Sequence, residues 1–157
     1  MSKKIIITGG LGYIGTELCK LYSGVSWHHK IIIIDNRFIS ERVSQIRNWN
    51  MEFVQGDILD KDLVKKYFAD ADVVHHLAGI TDVPRTKSES LLAQDEKIKE
   101  VGEIGTQNIL DVISDKCKII FPSTHVVYEG IAEVKTNIKE DEKTKPVLSY
   151  SSSKAVN

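Results

Sequence analysis

The chain has 157 residues, the size of one ordinary domain. At that size folding buries roughly 68–70% of the unfolded surface, so one substantial core is available and a second is not. Charged residues make up 27%, the formal net charge is −1 and no block of like charge occurs, which argues against nucleic acid or an anionic membrane surface as partner. No stretch approaches the roughly 20 apolar residues of a membrane span, and Met1-Ser2-Lys3-Lys4 runs directly into a strand pattern rather than a leader segment. Cys19 and Cys117 have neither CxxC nor metal spacing; both read as buried thiols, and a reducing cytoplasm is the expected location.

The first predicted element is a strand, Lys4–Thr8, followed by Gly9-Gly10-Leu11-Gly12-Tyr13-Ile14-Gly15. Ile14, Leu18, Leu21 and Tyr22 then fall at helical spacing, so the stretch reads as strand, glycine turn and helix. In that setting Gly9, Gly12 and Gly15 let the chain turn tightly, let backbone N–H groups approach a pyrophosphate, and let the helix pack closely on its strand. The amino end of the helix offers unpaired N–H donors and a positive dipole end to the anion. Glycines also collect in loops for turn geometry alone, and the residues downstream decide between the two readings.

Further strands are expected at Lys30–Asp35, Met51–Gln55, Val73–Leu77 and Lys118–Ser123, with a weaker sixth run near Glu133–Ile138. Alternating with helical patterns and rich in Ile, Val, Phe or Leu, they predict an α/β fold built on a doubly wound parallel sheet covered on both faces. Right-handed crossovers give the strand order 3-2-1-4-5. Asp35 closes the second strand 20 residues beyond Gly15. A carboxylate there accepts from the hydroxyls of an adenosine ribose and repels a 2′-phosphate, which selects NAD over NADP. Its plainer reading is a strand-end turn residue, and Arg37 nearby is able to face a phosphate. Asp57, after Gly56, is equally a turn former or an acceptor for the adenine amino group. Asp60 reads as the N-cap of a helix whose buried stripe is Leu63, Val64, Tyr67 and Phe68.

The fourth strand runs into His75-His76-Leu77-Ala78-Gly79, where small residues let backbone pass close to a bound dinucleotide. Adjacent histidines on a strand point to opposite faces, so they do not chelate one ion and no metal is expected. The polar stretch Thr81–Glu100, anchored by Leu91, Leu92 and Ile98, reads as a partly exposed helix with an ordered loop and leads into a helical pattern over Val101–Ile113. The fifth strand ends in Phe121-Pro122-Ser123-Thr124, and the chain later reaches Tyr150-Ser151-Ser152-Ser153-Lys154. On a helix, positions 150 and 154 share one face. A neighbouring ammonium and a cationic nicotinamide ring both favour phenolate, which makes Tyr150 a general-base candidate and Lys154 the holder of its charge and a contact to the nicotinamide ribose. Thr124 is the candidate to hydrogen-bond a substrate hydroxyl. A Tyr and a Lys four apart occur on many helices by accident; the glycine turn and the strand-end hydroxyl set this pair apart.

Taken together, Thr8-Gly9-Gly10-Leu11-Gly12-Tyr13-Ile14-Gly15, Asp35, Gly56-Asp57, His76-Leu77-Ala78-Gly79, Ser123-Thr124 with Val127-Tyr128, and Tyr150-x-x-x-Lys154 resemble the extended short-chain dehydrogenase/reductases. Within them the chain is most similar to the NAD-dependent epimerase/dehydratase group that acts on nucleotide sugars. The resemblance implies a Rossmann-type, three-layer domain with a tightly held NAD. It implies transient oxidation of a sugar hydroxyl by hydride transfer, with Thr124, Tyr150 and Lys154 as the catalytic group. The implied cofactor contacts are Gly9, Gly12, Tyr13, Ile14, Gly15, Asp35, Asn36, Asp57, Ile58, Leu77, Ala78, Gly79, Tyr150 and Lys154. A UDP- or dTDP-sugar is the implied substrate, and a homodimer the implied assembly.

Three positions depart from the family pattern. Gly102 stands where the family commonly has an asparagine three residues before Gly105-Thr106, and His125-Val126 follow Thr124 where the 4,6-dehydratase branch has Asp-Glu. The second departure disfavours acid-assisted loss of water and leaves epimerisation or simple oxidoreduction. Members also continue past the Tyr-Lys helix into a substrate domain. Residues 1–157 are therefore expected to be the NAD-binding domain, incomplete at its carboxyl end and without the substrate domain, and to show at most trace turnover alone. Two other readings remain: an NAD-binding sensor module without turnover, and a short-chain reductase of a non-sugar carbonyl compound.

Overall fold

The computed structural model of the protein describes residues 2–81, 92–133 and 135–156. The chain divides into two units, Met1–Gly79 with Gly105–Pro122, and Ile80–Ile104 with Ser123–Asn157.

The first unit is a parallel sheet in the order β3-β2-β1-β4-β5. Its strands are β1 (Lys4–Thr8), β2 (Lys30–Asp35), β3 (Glu52–Gln55), β4 (Val73–His76) and β5 (Lys118–Ile120). β-branched side chains drive it: β1 and β2 carry seven isoleucines, each 3% exposed or less. Each such burial contributes roughly 1.5–3 kcal/mol. The pleat sorts them, because successive residues of a strand face opposite ways. Ile5, Ile7, Ile31 and Ile33 share one cluster with Leu11 and Cys19, and with Val43 and Ile46 from α2 (Ser40–Asn48). Leu18 and Tyr22 of α1 (Tyr13–Tyr22) pack against the same cluster. Ile6, Ile32, Ile34 and Val74 are equally buried on the other face. That face is covered by α3 (Lys61–Phe68), which buries Val64 and Phe68, and by α5 (Gly105–Leu110), which buries Ile109. The three-layer, doubly wound arrangement thus follows from strands that are apolar on both sides. Asp60 caps α3, its Oδ1 accepting from the N–H groups of Asp62 at 3.0 Å and Leu63 at 3.1 Å.

The second unit holds α4 (Leu92–Lys99), a π-helical turn over Glu100–Ile104, a 3₁₀ turn over His125–Tyr128 and α6 (Ser149–Val156). α6 packs on α4 and on both turns. At Gly102 in the π turn, a Cβ would lie 2.9 Å from the side chain of Ser153, so this close approach of α6 requires glycine.

Several sequence expectations are corrected. No strand forms at 133 or 135–138, which are bends and coil; the run has only Ile138 and Val134 as apolar residues after Ala132, and Val134 lies outside the described residues. β5 stops at Ile120 rather than Ser123, since Pro122 has no N–H to continue a ladder. On α1 the buried positions are Gly15 and Cys19, whereas Ile14 and Leu21 are exposed. Leu92 is exposed rather than an anchor, Leu91 lies outside the described residues, and Ile98 is buried as expected. Cys19 is buried but Cys117 only partly so.

Candidate functional site

The glycine turn leaves β1 at its carboxyl end. Gly9 adopts φ +65°, the left-handed region, and a Cβ on it would meet the backbone of Leu77 and Ala78 at 2.8–2.9 Å. Gly15 is tighter still: its Cβ would lie 2.4 Å from the Gly9 carbonyl oxygen and 2.6 Å from the Gly10 Cα. The turn closes through the Gly12 N–H on the Gly9 carbonyl at 3.0 Å. Gly12 is also the residue that opens α1. Having no side chain, it leaves the helix without a side-chain cap, and no acidic residue stands in the first turn. The positive end of the helix dipole is therefore not neutralised from within its own helix. Tyr13 and Ile14 flank it with largely exposed side chains, 87% and 62%.

Leu11, buried inside the turn, fixes its position. Its N–H donates to Asp35 Oδ2 at 2.9 Å, and its carbonyl accepts from the Arg42 guanidinium of α2. Asp35 Oδ1 accepts the Arg37 N–H at 3.0 Å and faces Arg37 Nε at 3.4 Å. Only 5% exposed, Asp35 thus joins the end of β2 to the glycine turn. Next to it, Asn36 Nδ2 donates to Asp57 Oδ2 at 3.2 Å, while Asp57 Oδ1 accepts the Leu59 N–H at 3.0 Å. Ile58 turns its side chain inward, where a Cβ on Gly105 would meet it at 2.5 Å, and its carbonyl accepts from Asn108 Nδ2 at 3.1 Å.

The end of β4 is held by a buried chain of hydrogen bonds. The Ala78 N–H donates to Thr8 Oγ1 at 3.0 Å, Thr8 Oγ1 pairs with His76 Nδ1 at 2.9 Å, and His76 Nε2 pairs with Thr106 Oγ1 of α5 at 2.9 Å. His75 faces the other layer and sits 2.8 Å from the Tyr22 hydroxyl of α1. Burial, helped by the charge of Lys118, holds the His75 imidazole below its usual value, so Tyr22 donates to a neutral ring. The two histidines therefore act on opposite faces. Gly79 has open space where a Cβ would stand.

In the second unit, Thr124 is extended and opens the 3₁₀ turn, its Oγ1 accepting from the Val126 N–H at 3.4 Å. α6 carries Tyr150 and Lys154 one turn apart on one face. Both are half-buried, and burial lowers the Lys154 ammonium from its usual value. Ser151 and Ser153, on the intervening face, are buried.

A model of the NAD dependent epimerase/dehydratase family matches residues 5–157. The chain belongs to that family. Among curated relatives, the family member is 34% identical over 130 residues to a UDP-N-acetyl-alpha-D-glucosaminuronate decarboxylase of Bacillus cytotoxicus, covering 82% of this chain and 38% of the relative. It is 31% identical over 142 residues to a UDP-glucose 4-epimerase of Neisseria meningitidis serogroup C, covering 80% and 38%. A crystal structure of a UDP-glucuronic acid 4-epimerase variant from Bacillus cereus, in complex with UDP-4-deoxy-4-fluoro-glucuronic acid and NAD, superposes with a TM-score of 0.80 at 28% identity. That match covers 97% of this chain and 49% of the other. The chain thus spans less than half the length of these relatives.

The sequence pointed to the glycines, Asp35, Asp57 and the Tyr150/Lys154 face. It gave no sign of Arg42, a charged residue on a helix like many others, or of Glu129, which takes three donors from 18 to 22 residues away (below). The Thr8–His76–Thr106 chain was also out of reach, because strand register brings it together.

Proposed function

We propose that the chain supplies the NAD-binding domain of a nucleotide-sugar epimerase-type oxidoreductase, with a UDP- or dTDP-sugar as substrate. The observation that carries this reading is the glycine turn, whose Gly9 and Gly15 leave no room for a Cβ and which presents an uncapped, acid-free helix end at the carboxyl edge of a parallel sheet. That cradle fits a dinucleotide pyrophosphate. Gly9, Gly12, Gly15 and the first amides of α1 would hold it, with Asp35 and Asp57 toward the adenosine and Leu77–Gly79 alongside.

NAD, when bound, supplies a hydride acceptor for a sugar carbon. Tyr150 takes the proton from the sugar hydroxyl, Lys154 stabilises the phenolate with its charge, and Thr124 orients the hydroxyl by hydrogen bonding. His125-Val126 after Thr124 provide no acid for loss of water, which favours epimerisation over dehydration. On the family resemblance the assembled protein is a homodimer, and the near-neutral charge suits a cytoplasmic enzyme with neither nucleic acid nor membrane as partner.

The experiment is turnover of a UDP- and dTDP-sugar panel with NAD by the full-length protein that this reading implies, using Tyr150→Phe as control. NAD binding with turnover that the substitution lowers by about 10²–10⁴-fold supports the enzyme. NAD binding without turnover by the full-length protein, with or without the substitution, supports a sensor module.

A further inference from the structure

We propose that Glu129 is a positioning residue of the reactive half: its carboxylate fastens the amino end of α6, and with it Tyr150 and Lys154, to the turn that begins at Thr124. The proposal rests on the reading of Thr124, Tyr150 and Lys154 as the reactive group.

One carboxylate oxygen carries the connection. Glu129 Oε1 accepts from the Val147 N–H at 2.9 Å, from the Leu148 N–H at 2.8 Å and from the Ser151 hydroxyl. Ser151 Oγ also lies 2.9 Å from the Leu148 carbonyl, but a hydroxyl has one proton, and a charged acceptor at shorter range takes it. α6 has no acidic residue in its own first turn, so Glu129 supplies from a neighbouring turn the negative charge that its amino end lacks. Burial tends to raise the Glu129 carboxyl, but the bonds from Ser151, Leu148 and Val147 outweigh it and hold the group below the usual carboxylate range. With three donors on one oxygen, Glu129 holds structure in place rather than exchanging protons.

The connection spans a short path between reactive residues. Thr124 opens the 3₁₀ turn, the Glu129 N–H donates to the Val126 carbonyl at 3.1 Å, and Glu129 grips Leu148, two residues before Tyr150. Two backbone bonds close the loop beside it: Lys145 N–H to the Val127 carbonyl at 2.8 Å and Gly130 N–H to the Lys145 carbonyl at 2.9 Å. Gly130 tolerates no side chain there, since a Cβ would lie 2.5 Å from the Lys145 oxygen. The 14 residues from Ile131 to Thr144 thus leave and return through a closed base, where the Glu129 carboxylate accepts from Val147 and Leu148 next to the two backbone bonds of Lys145.

The test compares the wild type with Glu129→Ala and Glu129→Gln by residue-resolved hydrogen exchange and, in the full-length protein, by steady-state kinetics with NAD and the nucleotide-sugar panel. Glu129→Ala is expected to speed exchange by at least about tenfold at Leu148, which loses its bond to a charged acceptor, and at Ser152, whose N–H donates to the Leu148 carbonyl and opens as the helix end loosens, while β1 and β2 amides keep their rates. It is expected to lower kcat by about tenfold with KM little changed, and Glu129→Gln, which keeps an acceptor oxygen, to recover part of both. Unchanged exchange at Leu148 and Ser152 overturns the proposal whatever the kinetics show. Faster exchange with unchanged kcat overturns the positioning role. If the full-length wild type turns over no sugar, the function proposed above fails, and the exchange rates still decide whether Glu129 fastens α6.

Discussion

Gly15→Ala reverses the usual effect of such a substitution. Inside a helix, replacing glycine with alanine ordinarily stabilises by about 0.8–1 kcal/mol, because the unfolded chain loses freedom and the helix gains a better former. At Gly15 the added methyl meets the Gly9 carbonyl oxygen at 2.4 Å and the Gly10 Cα and carbonyl carbon at 2.6 and 2.9 Å. Ordinary Cβ contacts are 3.4–4 Å, so the overlap approaches 1 Å, and all three atoms are backbone that no rotamer change can move. Overpacking of this kind costs about 1–3 kcal/mol. At the upper end, less the helix gain, the net loss is about 2 kcal/mol, or roughly 4–8 °C in Tm for a domain of this size. Relief requires α1 to move off the turn, which carries its amino end away from the pyrophosphate, so NAD affinity should fall at least about tenfold. Gly24→Ala is the control: a Cβ there meets nothing within 4 Å, so Tm should hold or rise slightly. Thermal melts and calorimetric NAD titrations of both variants check this. A Gly15→Ala protein as stable as wild type, with intact NAD affinity, would refute the packing argument.

Other expectations are as direct. Asp35→Ala orphans the Leu11 and Arg37 amides, so it should cost about 1–3 kcal/mol in a denaturant melt and narrow any preference for NAD over NADP in calorimetry. His75 has its folded value below 6.5, so the unfolded chain binds the extra proton first. Stability should therefore be full above about pH 6.5 and decline as pH falls through the folded value, and His75→Phe should flatten that part of a pH–Tm series. Glu129 has a depressed folded value, so its contribution is present above its usual 4.5 and lost on further acidification; Glu129→Gln should be less sensitive between pH 5 and 3 by the same melts. Gly102→Ala forces a methyl against Ser153 and should lower Tm, with Ser153→Ala restoring part of it.

The sheet was legible because the information is local. Ile5–Ile7 and Ile31–Ile34 announce strands buried on both faces, and the crossover rule then leaves one strand order. The glycine turn was legible for a related reason: only glycine satisfies both a positive φ and a backbone contact, so the residue type betrays the geometry. What escaped depends on distant partners. Ile14 and Leu21 match the helical period as well as Leu18 does, yet they face outward, since periodicity gives a stripe without saying where the sheet ends. From its place after β2, Asp35 reads as a ribose acceptor or as a strand-end turn residue; its bonds to Leu11 and Arg37, invisible in the sequence, join the strand to the glycine turn. Glu129 looked like any surface acid until Leu148 and Ser151 came to it across the loop.

NAD binding requires the first helix and the end of the second strand to form one site. Titrating NAD and NADP separately into the folded protein in a calorimeter tests this most directly. Heat of binding with NAD, and weaker or absent heat with NADP, is the predicted result; uptake of NADP alone, or of neither dinucleotide, would contradict it.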